Sequence, residues 1–148
     1  MVTYVGNQEN FTEALKALLE LEYAAADAYE TAVTRLESQE YKIKLESFKK
    51  DHERHIEEVS SLLRDHHHEI PEKSVVGKQL LTTGKVVIAN LIGDNAILQA
   101  MVSNEIDTNT AYERMQNHED KWPEAEDIID RGLQDERMHK EWLEKTLS

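Results

Sequence analysis

The sequence has 148 residues, a formal net charge of −13 and no cysteine. One domain of this size can bury a core without cross-links, and the lack of cysteine excludes disulfides and thiolate metal sites. The acidic charge disfavours nucleic acid and anionic membranes as partners, since both need basic patches. Because there is no apolar run of membrane-spanning length and no signal-peptide pattern at the N-terminus, we expect a cytoplasmic protein.

The first two predicted helices carry apolar residues at helical spacing and almost no charge on their inner faces. The first is predicted from about residue 8 to 38, and Glu22 is the only charged residue in its apolar stripe. The second is predicted over about 40–64, and only His52 and His55 interrupt its stripe. Because the turn between the two helices is short, we expect them to pack antiparallel.

Residues 65–93 form a long connection after the second helix. Apolar periodicity over about 78–92 predicts a short extra helix on the outside of the fold. An apolar outer face on that helix would either form a homodimer contact or pack on its own bundle. The histidine run 66–68 lies in a loop that we expect to be exposed, where it would bind metal adventitiously or not at all.

The third predicted helix covers about 95–117. Gly93 is interpreted as a stop signal before it, and Asp94 as its N-cap. Glu105 interrupts the apolar stripe of this helix, as Glu22 does in the first. The third helix therefore repeats the pattern of the first.

The fourth predicted helix covers about 123–147 and places Glu136 and His139 in its apolar stripe. Residues three apart share one face of a helix. Because an ionised carboxylate is costly to bury unless a partner or a metal compensates it, this pair indicates a buried polar site.

The four helices form two diverged copies of one helix pair, since their polar residues correspond in order. Each interruption lies near the middle of its stripe, so the interruptions can meet in one layer. The corresponding residues are Glu22 and Glu105, Tyr29 and Tyr112, Asp51 and Asp135, His52 and Glu136, and His55 and His139.

This pattern resembles the ferritin-like superfamily of diiron carboxylate proteins, which includes bacterioferritins and rubrerythrins. Such proteins carry one Glu on each of two helices and Glu-x-x-His on each of the other two. Glu22 with Tyr29 is similar to the first helix of bacterioferritin, Glu105 to the third, and residues 135–139 to the last. The connection looks more like that of small bacterial ferritin-like proteins of unassigned function. The resemblance implies an all-α fold in a single domain over 1–148: a ferritin-like four-helix bundle with a long crossover that contains a short extra helix.

The resemblance also implies a metal site inside the bundle. One position departs from the family, because His52 stands where the bridging Glu of the second helix is expected. An asymmetric dinuclear site, a single-metal site and a site completed by Asp51 as an extra carboxylate are all open; Asp51 could instead orient a ligating imidazole. The implied metal ligands are Glu22, His52, His55, Glu105, Glu136 and His139.

Oxygen and nitrogen ligands suit iron first and manganese or zinc next. The resemblance implies two iron ions that oxidise Fe(II) with oxygen or peroxide, and an external electron donor, since the Cys domain of rubrerythrin is absent. It implies no haem, because Glu53 stands where bacterioferritin has its haem-ligating Met, and no ferritin shell, because the chain ends at Ser148 without a fifth helix. Tyr29 and Tyr112 could hydrogen-bond the ligands or relay electrons, although core tyrosines are the simpler interpretation.

A second function fits the same residues. A non-catalytic structural or regulatory bundle could bind one Fe, Mn or Zn ion, and His52 favours this function because it removes one carboxylate. Whether the protein is an enzyme is therefore open. In either case, burial of three carboxylates side by side predicts raised pKa values for Glu22, Glu105 and Glu136 in the metal-free protein.

Overall fold

The computed structural model describes residues 2–73 and 87–148, and these residues form an all-α structure without a β-strand. The prediction of an all-α fold is thereby confirmed. A 3-10 turn, Pro123–Ala125, leads into the last long helix. The four long helices are α1 (Phe11–Arg35), α2 (Gln39–Asp65), α3 (Asp94–Gln116) and α4 (Glu126–Leu147).

The helices pack as two pairs. The first pair is α1 with α2 and the second is α3 with α4, as expected for neighbours joined by short turns. The pairs meet through contacts of α1 with α3 and of α2 with α4. None of the described helices is long and apolar enough to cross a membrane.

Side-chain caps set the start of α1 and α2. The Asn10 side chain accepts a hydrogen bond from the Glu13 N–H, and the Ser38 side chain accepts one from the Tyr41 N–H. The first helix therefore begins later than predicted. The preceding segment is not helical; it lies along α3, where the Arg114 side chain donates to the Thr3 carbonyl.

The start of α3 corrects one prediction. Gly93, not Asp94, occupies the N-cap position, with a φ of 94° that a residue without Cβ adopts readily. The Asp94 carboxylate instead accepts hydrogen bonds from the backbone N–H groups of Glu37 and Ser38, at 2.8 and 2.9 Å. Asp94 thus fastens α3 to the turn between α1 and α2.

The predicted crossover helix over about 78–92 lies mostly outside the described residues, as does the face proposed for a homodimer contact. The described end of the connection forms one helical turn at 87–89. Ile88 in this turn is buried and packs in the hydrophobic core. The described end of the connection therefore contributes to the core.

The hydrophobic core consists of two clusters on either side of the polar residues. One cluster uses apolar residues that precede Glu22 in α1 and follow His55 in α2. The other uses residues that follow Glu22 and precede His52 in the same helices. The helices α3 and α4 contribute to both clusters in the same way, around Glu105 and Glu136. The polar residues therefore occupy a layer between two apolar layers.

Candidate metal centre

All six predicted ligands lie in the buried polar layer. Glu22 comes from α1, Glu105 from α3, and each of the other two helices supplies two residues. None of the six is more than 3% exposed, so each must be compensated by partners inside the protein. The structure thus brings together every residue that the sequence singled out for this layer.

The six residues form two overlapping groups, and each group could hold a metal ion. In both groups the ligand atoms lie within 4.8 Å of one another. His52 and Glu136 belong to both groups, so the two groups are neighbours. Site A consists of Glu22, His52, His55 and Glu136, and site B consists of His52, Glu105, Glu136 and His139.

Two aspartates orient the outer histidines. His55 Nε2 lies 2.9 Å from Asp135 Oδ2, and His139 Nε2 lies 2.8 Å from Asp51 Oδ2. Asp51 of α2 thereby contacts His139 of α4, and Asp135 of α4 contacts His55 of α2. Neither aspartate contacts the histidine four residues later in its own helix. The aspartate contact fixes the ring orientation and leaves Nδ1 of both histidines facing the layer.

Arg54 connects these two aspartates at the edge of the layer. Its guanidinium donates to Asp135 and Glu58 and lies 3.6 Å from Asp51. The side chain is 40% exposed, so its electrostatic contribution is partly screened by solvent. Arg54 was not singled out from the sequence, because a basic residue beside an acidic one on a helix surface is common.

His52 lies between the carboxylates of both groups. Its Nδ1 is 2.8 Å from Glu22 Oε2 and 3.4 Å from Glu136 Oε1, whereas its Nε2 is 3.4 Å from Glu105 Oε1. One imidazole therefore turns one nitrogen towards site A and the other towards site B.

Two neighbouring residues of α3, Thr108 and Asn109, also serve the layer, and neither was singled out from the sequence. Thr108 Oγ1 lies within hydrogen-bond distance of Glu136 Oε2 (2.9 Å) and Glu105 Oε2 (3.2 Å). Asn109 donates from Nδ2 to the backbone carbonyls of the same two residues, at 2.7 and 3.0 Å. Asn109 thereby links the backbones of α3 and α4 beside the ligands. The position of Thr108 in the inner stripe was the only signal.

The two tyrosines of the repeat make different contacts. The Tyr29 hydroxyl donates a hydrogen bond to Glu105 Oε1, and its ring stacks on His52 with centroids 5.1 Å apart. The Tyr112 hydroxyl is buried and forms no hydrogen bond of regular geometry among the described residues, while burial and the nearby Glu22 carboxylate raise its pKa. Its ring instead packs against the backbone of Gly132 in α4.

The pKa values of the three histidines in the layer are raised by the neighbouring carboxylates. Burial alone would lower the pKa of His52, but the carboxylates of Glu136 and Glu22 raise it to about 10. Carboxylate partners likewise outweigh burial and raise the pKa of His55 to about 12 and that of His139 to about 11. All three imidazoles are therefore protonated at neutral pH when no metal is bound.

The same pairing corrects the expectation for the carboxylates. Burial raises the pKa of Glu22, but the charges on His52 and His55 outweigh it and lower that pKa to about 2. The pKa of Glu105 is also lowered, because its bonds to His139 and His52 outweigh burial. Only the pKa of Glu136 is raised, by burial and by the charge of Glu105. The prediction of three raised values was wrong for Glu22 and Glu105.

The donor set fits a metal ion. Buried polar atoms normally have hydrogen-bond partners, yet several atoms facing the layer have none among the described residues. They combine carboxylate oxygens with imidazole nitrogens, which are the donors that divalent first-row metals accept. These atoms are Glu22 Oε1, Glu136 Oε1, His55 Nδ1 and His139 Nδ1.

The histidine run 66–68 has a different environment. His66 stacks on Trp122 with centroids 3.7 Å apart and contacts Glu124 at 2.5 Å. His68 lies 3.3 Å from the Thr12 hydroxyl. Among the described residues, neither metal-binding group includes any of these histidines.

Comparison with known proteins identifies a family but no activity. A family described as "Domain of unknown function (DUF2383)" matches residues 10–118. No curated protein and no solved structure matches the chain. The matched region spans α1, α2 and α3 and ends before α4, so it includes His52, His55 and both outer carboxylates but not Glu136 or His139.

Proposed function

This chain belongs to the DUF2383 family, a domain of unknown function, and we propose that it is a ferritin-like metal-binding protein that holds two metal ions in sites A and B. One observation carries the proposal: two overlapping groups of buried carboxylates and imidazoles share His52 and Glu136. A helical bundle held only by packing would have no need of buried carboxylates and imidazoles in its core.

The arrangement of the helices supports the ferritin-like part of the proposal. In the diiron carboxylate bundles, two helices each supply one Glu and the other two each supply a Glu-x-x-His pair. Here α1 and α3 supply Glu22 and Glu105, and α4 supplies Glu136 and His139. A long connection separates the two helix pairs, as in bundles with one crossover.

We further propose iron as the metal and oxidation of Fe(II) by oxygen or peroxide as the reaction. Bound iron would supply the redox chemistry: each Fe(II) would give one electron to oxygen or peroxide, and an external electron donor would be needed to return the resulting Fe(III) to Fe(II). The carboxylates would balance the metal charge, while Asp51 and Asp135 would hold the histidine rings with Nδ1 towards the metal. The apolar clusters on either side would exclude water from the layer.

Anaerobic Fe(II) titration of metal-free protein, followed by oxygen, tests the proposal. We expect two Fe(II) per chain and a ferric absorbance that grows faster than Fe(II) oxidises in buffer. Glu136→Ala removes a residue of both sites and should abolish tight binding, whereas His67→Ala changes an exposed histidine outside both groups and should leave it unchanged. Equal iron binding by the two variants would show that the ions bind elsewhere.

A non-catalytic bundle with one Fe, Mn or Zn ion is the second candidate, and the position of His52 favours it. A neutral imidazole has one free lone pair, so it can ligate only one metal at a time. If two ions were bound, Glu136 would then be the only ligand that they could share. One ion per chain, together with no oxidation above the buffer rate, would support this candidate against the redox protein.

A further inference from the structure

Sites A and B are built alike in their histidines. His55 in site A and His139 in site B each bind an aspartate through Nε2, at 2.9 and 2.8 Å. Nδ1 of both histidines is buried and has no hydrogen-bond partner among the described residues. The histidines therefore offer the same donor atom, Nδ1, to each site.

The outer carboxylates of the two sites differ. Glu105 Oε1 in site B accepts from the Tyr29 hydroxyl. Its Oε2 lies 3.2 Å from Thr108 Oγ1, but the single proton of that hydroxyl has a nearer acceptor in Glu136 Oε2, at 2.9 Å. Glu22 in site A has only one oxygen engaged, since Oε2 contacts His52 while Oε1 has no hydrogen-bond partner among the described residues. A metal ion entering site B must compete with the hydroxyl donors Tyr29 and Thr108, whereas among the described residues Glu22 Oε1 and Glu136 Oε1 accept no hydrogen bond from a hydroxyl.

The two oxygens of Glu136, the carboxylate shared by both sites, also differ in their hydrogen bonds. Glu136 Oε1 lies 3.2 Å from His55 Nδ1, on the side of site A, and makes no hydrogen bond. Glu136 Oε2 lies on the side of site B, 3.6 Å from His139 Nδ1, and 2.9 Å from Thr108 Oγ1. On the side of site A, Glu136 thus has only ion-pair contacts with imidazoles, whereas on the side of site B it also has a hydroxyl donor.

A single sequence difference between the two helix pairs explains much of the unequal hydrogen bonding of the carboxylates in sites A and B. Thr108 follows Glu105 by three residues in α3, whereas Ala25 stands at the same distance after Glu22 in α1. Alanine has no hydroxyl, so the carboxylates near site A lack the donor that occupies those near site B. The tyrosines add to the difference, because Tyr29 donates to Glu105, whereas the Tyr112 hydroxyl lies near Glu22 without a hydrogen bond of regular geometry.

We infer that the sites fill in order: the first metal ion binds in site A, through Glu22, His52 Nδ1, His55 and Glu136 Oε1, and site B fills second. This inference rests on the proposed function. A hydrogen bond to a charged group contributes enough that one bond changes a binding constant about tenfold. We therefore expect site A to bind at least about tenfold more tightly than site B.

Co(II) titration of metal-free protein tests the order, since the visible absorption of Co(II) reports binding without any turnover. His55→Ala and His139→Ala form a matched pair that leaves one complete site each. We expect one Co(II) per chain in both variants, with a dissociation constant at least about tenfold higher in His55→Ala. Equal constants, or a higher constant in His139→Ala, would overturn the order.

A gentler pair covers the case in which a histidine variant does not fold. Asp135→Asn and Asp51→Asn keep every ligand and weaken the contact that orients one histidine, which costs about 10–100-fold in metal affinity. Each variant also weakens the pairing of that aspartate with Arg54. The first binding step should weaken in Asp135→Asn and stay unchanged in Asp51→Asn. The reverse result would overturn the order.

The cause of the order can be tested by adding Thr108→Ala to His55→Ala, which removes a hydroxyl donor from site B. This double variant should bind Co(II) more tightly than His55→Ala alone, and an unchanged constant would overturn the role given to Thr108. Absence of Co(II) binding by the wild-type protein would instead overturn the proposed function itself. The two failures are therefore distinguishable.

Discussion

The two helix pairs, α1–α2 and α3–α4, supply matching residues to the polar layer but leave it with an unequal charge pattern. Glu22 corresponds to Glu105 and His55 to His139, whereas the first pair supplies His52 where the second supplies Glu136. All of these residues are buried. The comparison shows that similar backbones can hold a repeated set of side chains while one exchange changes the electrostatics of the whole layer.

The exchange matters most when no metal is bound. Three carboxylates and three imidazoles occupy the layer, and the raised pKa values of the histidines keep them protonated at neutral pH. The imidazolium charges then balance the carboxylates in the place of a metal ion. A layer with Glu in both shared positions would have more negative than positive groups, and it would depend on metal for its stability.

Replacing His52 by Glu would make the two helix pairs alike and should have the largest effect. The variant brings a fourth carboxylate into the buried layer and removes the cation between Glu22 and Glu105. Because an unpaired buried charge is strongly destabilising, we expect a loss of about 3–5 kcal/mol in the free energy of unfolding without metal. Urea denaturation with and without Fe(II) measures it, and metal should restore most of the loss.

The control for this variant is His52→Gln, which removes the charge of the imidazole but adds no carboxylate. It should destabilise the metal-free protein less than His52→Glu, and metal should restore less of its stability. If both variants lose the same free energy, charge does not explain the difference between the helix pairs.

The pH dependence of stability is the next largest effect. The histidine pKa values are raised from 6.5 to about 10 for His52 and about 11 for His139, so their contribution is fully present below pH 6.5 and is lost as the pH rises towards 10. The pKa of Glu22 is lowered from 4.5 to about 2, so its contribution is present above pH 4.5 and is lost as the pH falls towards 2. Metal-free protein should therefore be most stable between pH 4.5 and 6.5.

Urea denaturation of metal-free protein across this range measures the profile. The same protonation predicts that metal binding near neutral pH releases protons, because imidazole must lose a proton to ligate. Calorimetry in buffers of different ionisation enthalpy would count these protons. A stability maximum on the alkaline side of pH 6.5 would contradict the pairing of imidazolium with carboxylate in the layer.

The sequence predicted the helices and the residues of the layer because both depend on periodicity. The apolar stripe of a helix packs against the core, so a charged residue in the middle of the stripe is buried with it. The stripes alone therefore predict that Glu22, Glu105 and Glu136 are buried. The protonation states of the carboxylates and histidines in the layer could not be predicted from periodicity. They depend on which atoms face each other across helices, as when His52 lies 2.8 Å from Glu22.

Other details were missed because they depend on how two helices are placed. The pairing of Asp51 with His139 crosses from α2 to α4, and helical spacing within one helix cannot show it. Asp94 has the sequence pattern of an N-cap, but its carboxylate accepts hydrogen bonds from the backbone of the turn between α1 and α2. Asn109 is a polar residue whose partners are carbonyls on two helices.

The smallest predicted effect concerns the tyrosines, which pack differently in the two halves. Tyr29 packs edge-on against the Phe48 ring of α2, with centroids 6.1 Å apart. Tyr112 packs directly on α4 at Gly132, which lies seven residues before its histidine, as Phe48 does. A Cβ at Gly132 would lie 2.4 Å from Tyr112 Cε1, which is too close for the ring to stay in place.

Gly132→Ala should therefore destabilise the protein even though alanine is the better helix former. Overpacking costs about 1–3 kcal/mol, and the gain in helix propensity is about 1 kcal/mol, so we expect a net loss of about 1 kcal/mol by urea denaturation. In a Tyr112→Leu background the ring is gone, and the same substitution should become stabilising. The same sign in both backgrounds would mean that the absence of a side chain at Gly132 does not serve Tyr112. A change of sign would show that one glycine makes room in α4 for a ring of α3, where the other helix pair places the ring of Phe48.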